Sequence, residues 1–215
     1  MKDLGVRFMH GTIDQFSFRQ LHHRYLLLVN DNENLNVLKL TSFPHEKKDN
    51  AILLYGYIDS TAGLSFEMLS FAYFSWDGSV QYRAASPDTS MKLRYDSIHG
   101  TLISVPYSDA MASFQWKVDS CNTHYRADPA VEAFREIKCI DSSRHPQYPD
   151  DLIVFFVKDG MKPEGIWCRI CGQRNGHICG VLLNAPYGYF GVTQGDIVEI
   201  EPIRVGDEFK AVALI

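Results

Sequence analysis

Long apolar runs are missing from this 215-residue sequence. Tyr25 to Val29 and every other unbroken apolar run are far below the ~18 residues that a membrane-spanning helix requires, so no membrane partner is expected. Asp3 and Arg7 interrupt the first residues and no apolar segment follows Lys2, so no signal peptide is expected. Cysteine is scarce and odd in number, at five, which without a secretory signal predicts free thiols in a reducing, cytoplasmic setting. Proline is sparse, at 9, while 46% of residues are hydrophobic and 13% aromatic, enough to build a core without disulfides or metals. Positive charge is short as well: 21 Lys and Arg stand against 26 Asp and Glu, a net charge of -5. That balance argues against a protein that tracks nucleic-acid phosphates and suits a basic protein partner. Finally, the chain lacks a phosphate-cradling glycine loop, a serine nucleophile elbow and a metalloprotease helix motif. These absences favour a binding module over an enzyme, and no cofactor is expected.

What is present is mostly strand. Arg24–Asn30, Asn34–Phe43 and Ala51–Ile58 read as strands separated by the turn clusters Asn30–Asn32 and Pro44–Asn50. Ser65–Trp76 is apolar on both faces, with Phe66, Met68, Ala72, Phe74 and Trp76 on one and Leu69, Phe71 and Tyr73 on the other, which predicts a central strand. Asp77-Gly78 then predicts a tight hairpin with Tyr73 opposite Tyr82. Lys92–Tyr95, Thr101–Val105 and Phe114–Val118 continue the pattern, the last with Phe114, Trp116 and Val118 inward and Gln115 and Lys117 outward.

About two helices are expected. Asp128-Pro129 supplies an N-cap and first-turn proline ahead of an Ala130, Phe134, Ile137 stripe. Thr12 and Gln15 supply a capping box before Phe16 and Leu21. The adjacent His22 and His23 would lie about 100° apart on such a helix, too divergent to share a metal. Later strands are expected at Leu152–Val157, in a hairpin over Ile166–Leu183 turning at Asn175-Gly176, and at Asp196–Ile200 and Glu208–Leu214. The fold class is therefore α+β with β-rich antiparallel sheets, divided near residue 126 into a β-rich region (1–125) and a helix-plus-strands domain (126–215).

Four separated segments of the second half, Asp141–Asp151 (DSSRHPQYPDD), Lys158–Arg169 (KDGMKPEGIWCR), Gly180–Pro186 (GVLLNAP) and Gly191–Val198 (GVTQGDIV), occur in an order and spacing of their own. Together they resemble an uncharacterised bacterial domain family marked by a Pro-Asp-Asp loop, a Glu-x-x-Trp strand, a Leu-Leu-Asn-x-Pro turn and a Gly-Asp strand start. The resemblance covers roughly residues 130–200. Some members are similar to predicted immunity proteins of polymorphic toxin systems, so it implies a protein that binds a cognate toxin. Ala185 stands where that family commonly has Glu, and Cys168, Cys171 and Cys179 replace its Val or Thr. Physically, the same residues also read as scaffold: Trp167 anchoring a hairpin, Asn184 and Pro186 closing a turn, Gly195-Asp196 starting a strand.

Three constellations carry possible chemistry. Cys168-x-x-Cys171 can wrap one face of a zinc ion, with Cys121 and His124 or His177 and Cys179 completing the set. A regular strand, however, points Cys168 and Cys171 to opposite faces, which favours strand thiols. The loop Arg144–Asp151 gathers His145, Asp150 and Asp151, the material of an acid/base or metal site and equally of a turn. If the chain is a metal-dependent hydrolase, these three are its catalytic residues. Tyr187, Tyr189 and Phe190 follow a turn, where aromatics serve as interface anchors. The leading expectation is a protein-binding module, an immunity protein holding a basic toxin. The alternatives are that hydrolase and a structural component of a larger assembly.

Overall fold

The apolar strand segments pair into two separate sheets, one in each of two units, Met1–Tyr125 and Arg126–Ile215. A computed structural model describes residues 9–215. The class is α+β and β-rich, with four α-helices rather than about two among the described residues. None of these helices is long and apolar enough to cross a membrane.

The first unit carries β1 (His10–Gly11), α1 (Phe18–Leu21), β2 (Tyr25–Val29), α2 (Asn32–Leu38), β3 (Ala51–Asp59), β4 (Gly63–Phe74), β5 (Val80–Tyr82), β6 (Lys92–Arg94), β7 (Thr101–Val105) and α3 (Gln115–His124). Its sheet runs β1-β7-β2-β3-β4-β5, and β6 also pairs with β4. The run predicted to be central is β4, buried from Gly63 to Ala72 between β3 and the short outer strands. A bulge at Leu69 reverses its alternation, so Phe71 joins Phe66 and Met68 in one core cluster while Leu69 packs in another.

Two segments expected as strands are helices. Asp31, read as a turn residue, caps α2 by accepting from the Asn34 amide at 3.1 Å, and Leu35 and Leu38 are buried while Val37 is exposed. In α3 and the turn before it, Phe114, Val118 and Cys121 recur at helical spacing and are buried; Trp116 is half exposed and Lys117 is buried, the reverse of the predicted alternation. Over five residues an alternating pattern and the start of a helical stripe coincide. The Thr12–Gln15 capping box exists, but it heads a three-residue 3-10 turn; a second box at Ser17 and Gln20 heads the short α1. His22 and His23 follow α1 rather than ride on it, their rings 3.8 Å apart.

The hairpin after β4 also differs. Ser75 pairs with Ser79 around a three-residue loop, Trp76-Asp77-Gly78, with Gly78 at φ 85°. The one-residue shift sets Tyr82 opposite Ala72 and Tyr73 opposite Gln81, and leaves Trp76 at the tip, 97% exposed.

The second unit carries α4 (Pro129–Arg135), β8 (Asp151–Phe156), β9 (Glu164–Arg174), β10 (His177–Leu182), β11 (Ile197–Val205) and β12 (Glu208–Leu214). Asp128 caps α4 through the Ala130 amide at 2.8 Å, with Pro129 in the first turn as predicted. The β9–β10 hairpin turns on Asn175 and Gly176, both at positive φ, in the two-residue form that their type favours. The five strands close into a barrel. An up-and-down path of odd strand number must close on a parallel pair, here β12 with β8, so the sheet is not wholly antiparallel. Leu152, Val154, Phe156, Ile166, Cys168, Ile170, Val198 and Ile200 fill it, with Val131 and Phe134 of α4 in the same cluster.

Candidate functional site

The loop that leads into β8 holds the three residues predicted for catalysis, and the fold uses them as its own supports. Asp150 receives a two-bonded fork from Arg135, at 2.9 and 2.7 Å, and Asp151 receives another from Arg169, at 2.7 and 2.8 Å. The imidazole Nδ1 of His145 accepts the amides of Gln147 at 3.2 Å and Tyr148 at 3.1 Å, and its ring packs on Tyr148 and the edge of Trp167. Buried Arg144 donates to the carbonyls of Pro149 and Phe134, each at 2.8 Å, and to Asp141, and so ties the loop to the end of α4. Two arginines thus hold the two carboxylates. Each carboxylate is already neutralised by a guanidinium in register with it, the strongest form of such a pair. This geometry gives the hydrolase alternative no support.

The predicted zinc ligands are not brought together. Cys168 points into the barrel core, while Cys171 is the extra residue of a bulge opposite Cys179, outside, donating its thiol to the Cys179 carbonyl at 3.6 Å. His177 ends the hairpin opposite Arg174. Cys121 and His124 lie on α3, in the first unit. No group of three or more His, Cys, Asp or Glu able to hold a metal exists among the described residues. Burial pushes the thiols of Cys121 and Cys168 up to about 12.

The aromatic loop splits. Tyr187 and Tyr189 stand almost wholly in solvent, but Phe190 is 5% exposed and meets Phe156 edge-on in the barrel core, 5.7 Å between centroids. Phe190 is therefore a plug, not a contact residue. Glu164, the acidic residue of the Glu-x-x-Trp element, accepts the amides of Tyr187 at 2.7 Å and Gly188 at 3.0 Å. Lys158 donates to the Tyr189 carbonyl at 3.2 Å and lies over its ring. Trp167 lies within β9, and its amide donates to the Asn184 side chain at 3.1 Å. The result is a loop fixed at both ends that offers two tyrosine rings to solvent.

Sequence reading missed a cleft of about 280 Å³ in the first unit. Glu67 on β4 and Lys117 on α3 face it, 6% and 4% exposed. The Ser90 hydroxyl donates to Glu67 at 2.9 Å, and Lys117 donates to the Thr89 carbonyl at 2.6 Å. Burial pushes the Glu67 carboxyl up against the pull of Ser90, Lys117 and Lys92, and pushes the Lys117 amine down against the pull of Glu67. Lys92, Trp116, Cys121, His124 and Tyr125 also line it. One signal was readable: Glu67 is the sole charge in the apolar run that forms the central strand. Comparison of the chain with models of protein families, with curated proteins and with solved structures finds no match.

Proposed function

We propose that the protein is a protein-binding module whose contact surface is the Tyr187–Tyr189 loop of the barrel unit, and that its partner is a basic toxin which it neutralises by covering it. The observation that carries this reading is the pairing of two exposed tyrosines with a loop already held by Glu164, Lys158 and the Phe190 plug. Tyrosine gives a large, amphipathic contact area at small entropic cost, and a pre-ordered loop avoids further loss on binding. An excess of five negative charges suits a basic partner and speeds encounter. The toxin reading rests on the resemblance of residues 130–200 to a family with predicted immunity proteins.

The test is capture of partners from a lysate of the native host, with wild type and the Tyr187→Ala/Tyr189→Ala double variant as baits. A partner retained by wild type should bind the variant at least ~30-fold more weakly, the ~2 kcal/mol of an interface hot spot. Recovery of no protein under several conditions, or equal retention by both baits, refutes the proposal.

A further inference from the structure

Buried charges are expensive, and proteins ordinarily pair them. Glu67 and Lys117 are both more than nine-tenths buried, yet neither has an ion-pair partner within 4.0 Å among the described residues. Each makes one hydrogen bond to a neutral group, Ser90 for the carboxylate and the Thr89 carbonyl for the amine. An ammonium has three donors and a carboxylate about four acceptor sites, so both retain capacity. Among the described residues neither is left as a buried side-chain atom without a partner; Lys117 also lies over the Phe43 and Trp116 rings, and the two charges act on each other through space without a direct ion pair. They belong to different elements, β4 and α3, and both face the same open cleft, where Lys92 adds a second ammonium.

An occupant that satisfied both would carry a cation for Glu67 and an anion for Lys117 in one small molecule. From this juxtaposition we infer that the cleft is a binding site for a small zwitterion of the α-amino-acid class, its ammonium on Glu67 and its carboxylate on Lys117 with Lys92 in support. Trp116 and Tyr125 form the wall along which the ligand's side chain lies. The volume of about 280 Å³ is just below the range usual for drug-sized ligands and suits a molecule of amino-acid size. The depressed amine and the raised carboxyl show that burial outweighs the pull of each charge on the other, and a ligand that paired with both groups would oppose both shifts. This site belongs to the first unit and the tyrosine loop to the second, so either reading can fail alone.

The test is calorimetric titration of the full chain with the proteinogenic α-amino acids one at a time. Each amino acid that binds is then compared with its deaminated and decarboxylated analogues, for example phenylalanine with 3-phenylpropionate and phenethylamine. Saturable binding of at least one amino acid is expected, weakened more than tenfold by loss of either group and abolished in both Glu67→Gln and Lys117→Met. The Gln side chain has the shape of Glu and still accepts from Ser90, so Glu67→Gln should keep the wild-type circular dichroism and a cooperative melting transition. No saturable binding by any amino acid at millimolar concentration overturns the inference. So does an analogue that binds as well as its parent, or binding that survives both substitutions.

Discussion

Replacing each aromatic of the Tyr187–Phe190 segment by alanine separates structural from presented rings. Phe190 is 5% exposed, its ring lies edge-on to Phe156, and its neighbours are the apolar side chains of the barrel. Burial of a phenylalanine is worth about 1.5–3 kcal/mol, and an edge-to-face partner adds about 0.5–1.5 kcal/mol. With the cavity left behind, Phe190→Ala should cost about 3–5 kcal/mol. Tyr187, wholly in solvent, should change stability by no more than about 0.5 kcal/mol. Tyr189 has Lys158 over its ring and should cost about 0.5–1 kcal/mol, the worth of an exposed cation–π contact. Urea unfolding measures all three, read by Trp167 fluorescence in a background with Trp76 and Trp116 replaced by Phe, so that the one remaining indole reports on the barrel unit. A cost under about 1 kcal/mol for Phe190→Ala, or above about 2 kcal/mol for Tyr187→Ala, refutes the assignment of plug and presented rings.

Arg135 is buried with its fork on Asp150 and a further bond to Glu132, so Arg135→Met should destabilise by about 3–5 kcal/mol. Adding Asp150→Leu should recover much of that loss, and a single-variant cost below about 1 kcal/mol in the same urea assay contradicts the role given to the pair. Burial raises the Asp59 carboxyl, but the Thr61 amide and hydroxyl, the Arg94 guanidinium and the Ala62 amide together hold it at about 2. Because its folded value is depressed, its contribution is full above the ordinary carboxylate range and fades as pH falls from about 4 through 2; it should amount to on the order of 2 kcal/mol at neutral pH. The stability gap between wild type and Asp59→Asn should shrink over that window, and a gap independent of pH counts against it. In the native protein at pH 8, a disulfide reagent should modify exposed Cys139 quickly and reach Cys121 and Cys168 only on unfolding. Rapid labelling of Cys168 in the folded chain, seen by peptide mass, would show that the barrel interior is open.

Where a signal is local, the sequence determined the outcome by itself. Asp128-Pro129 starts α4, Asn175-Gly176 turns the β9–β10 hairpin, and the run apolar on both faces became the central strand β4, because capping, positive φ and burial on two faces are properties of adjacent residues. The remaining features depended on partners distant in the chain. Five-residue windows at Leu35 and Val118 fit strand and helix alike, and only the surfaces they pack against selected the helix. Asp77-Gly78 has the same hairpin signature as Asn175-Gly176, yet a three-residue loop won and moved Trp76 to the tip. Arg135 and Arg169 reach Asp150 and Asp151 from another helix and strand, which made a catalytic-looking loop a brace. Phe190 and Tyr189 are neighbours in sequence, and the barrel wall alone decides that one is buried and the other is not. Glu67 and Lys117, fifty residues apart, face one cleft because α3 packs near β4, and burial energy that is summed over a whole core, unlike a cap or a turn, cannot be read from any short stretch of chain.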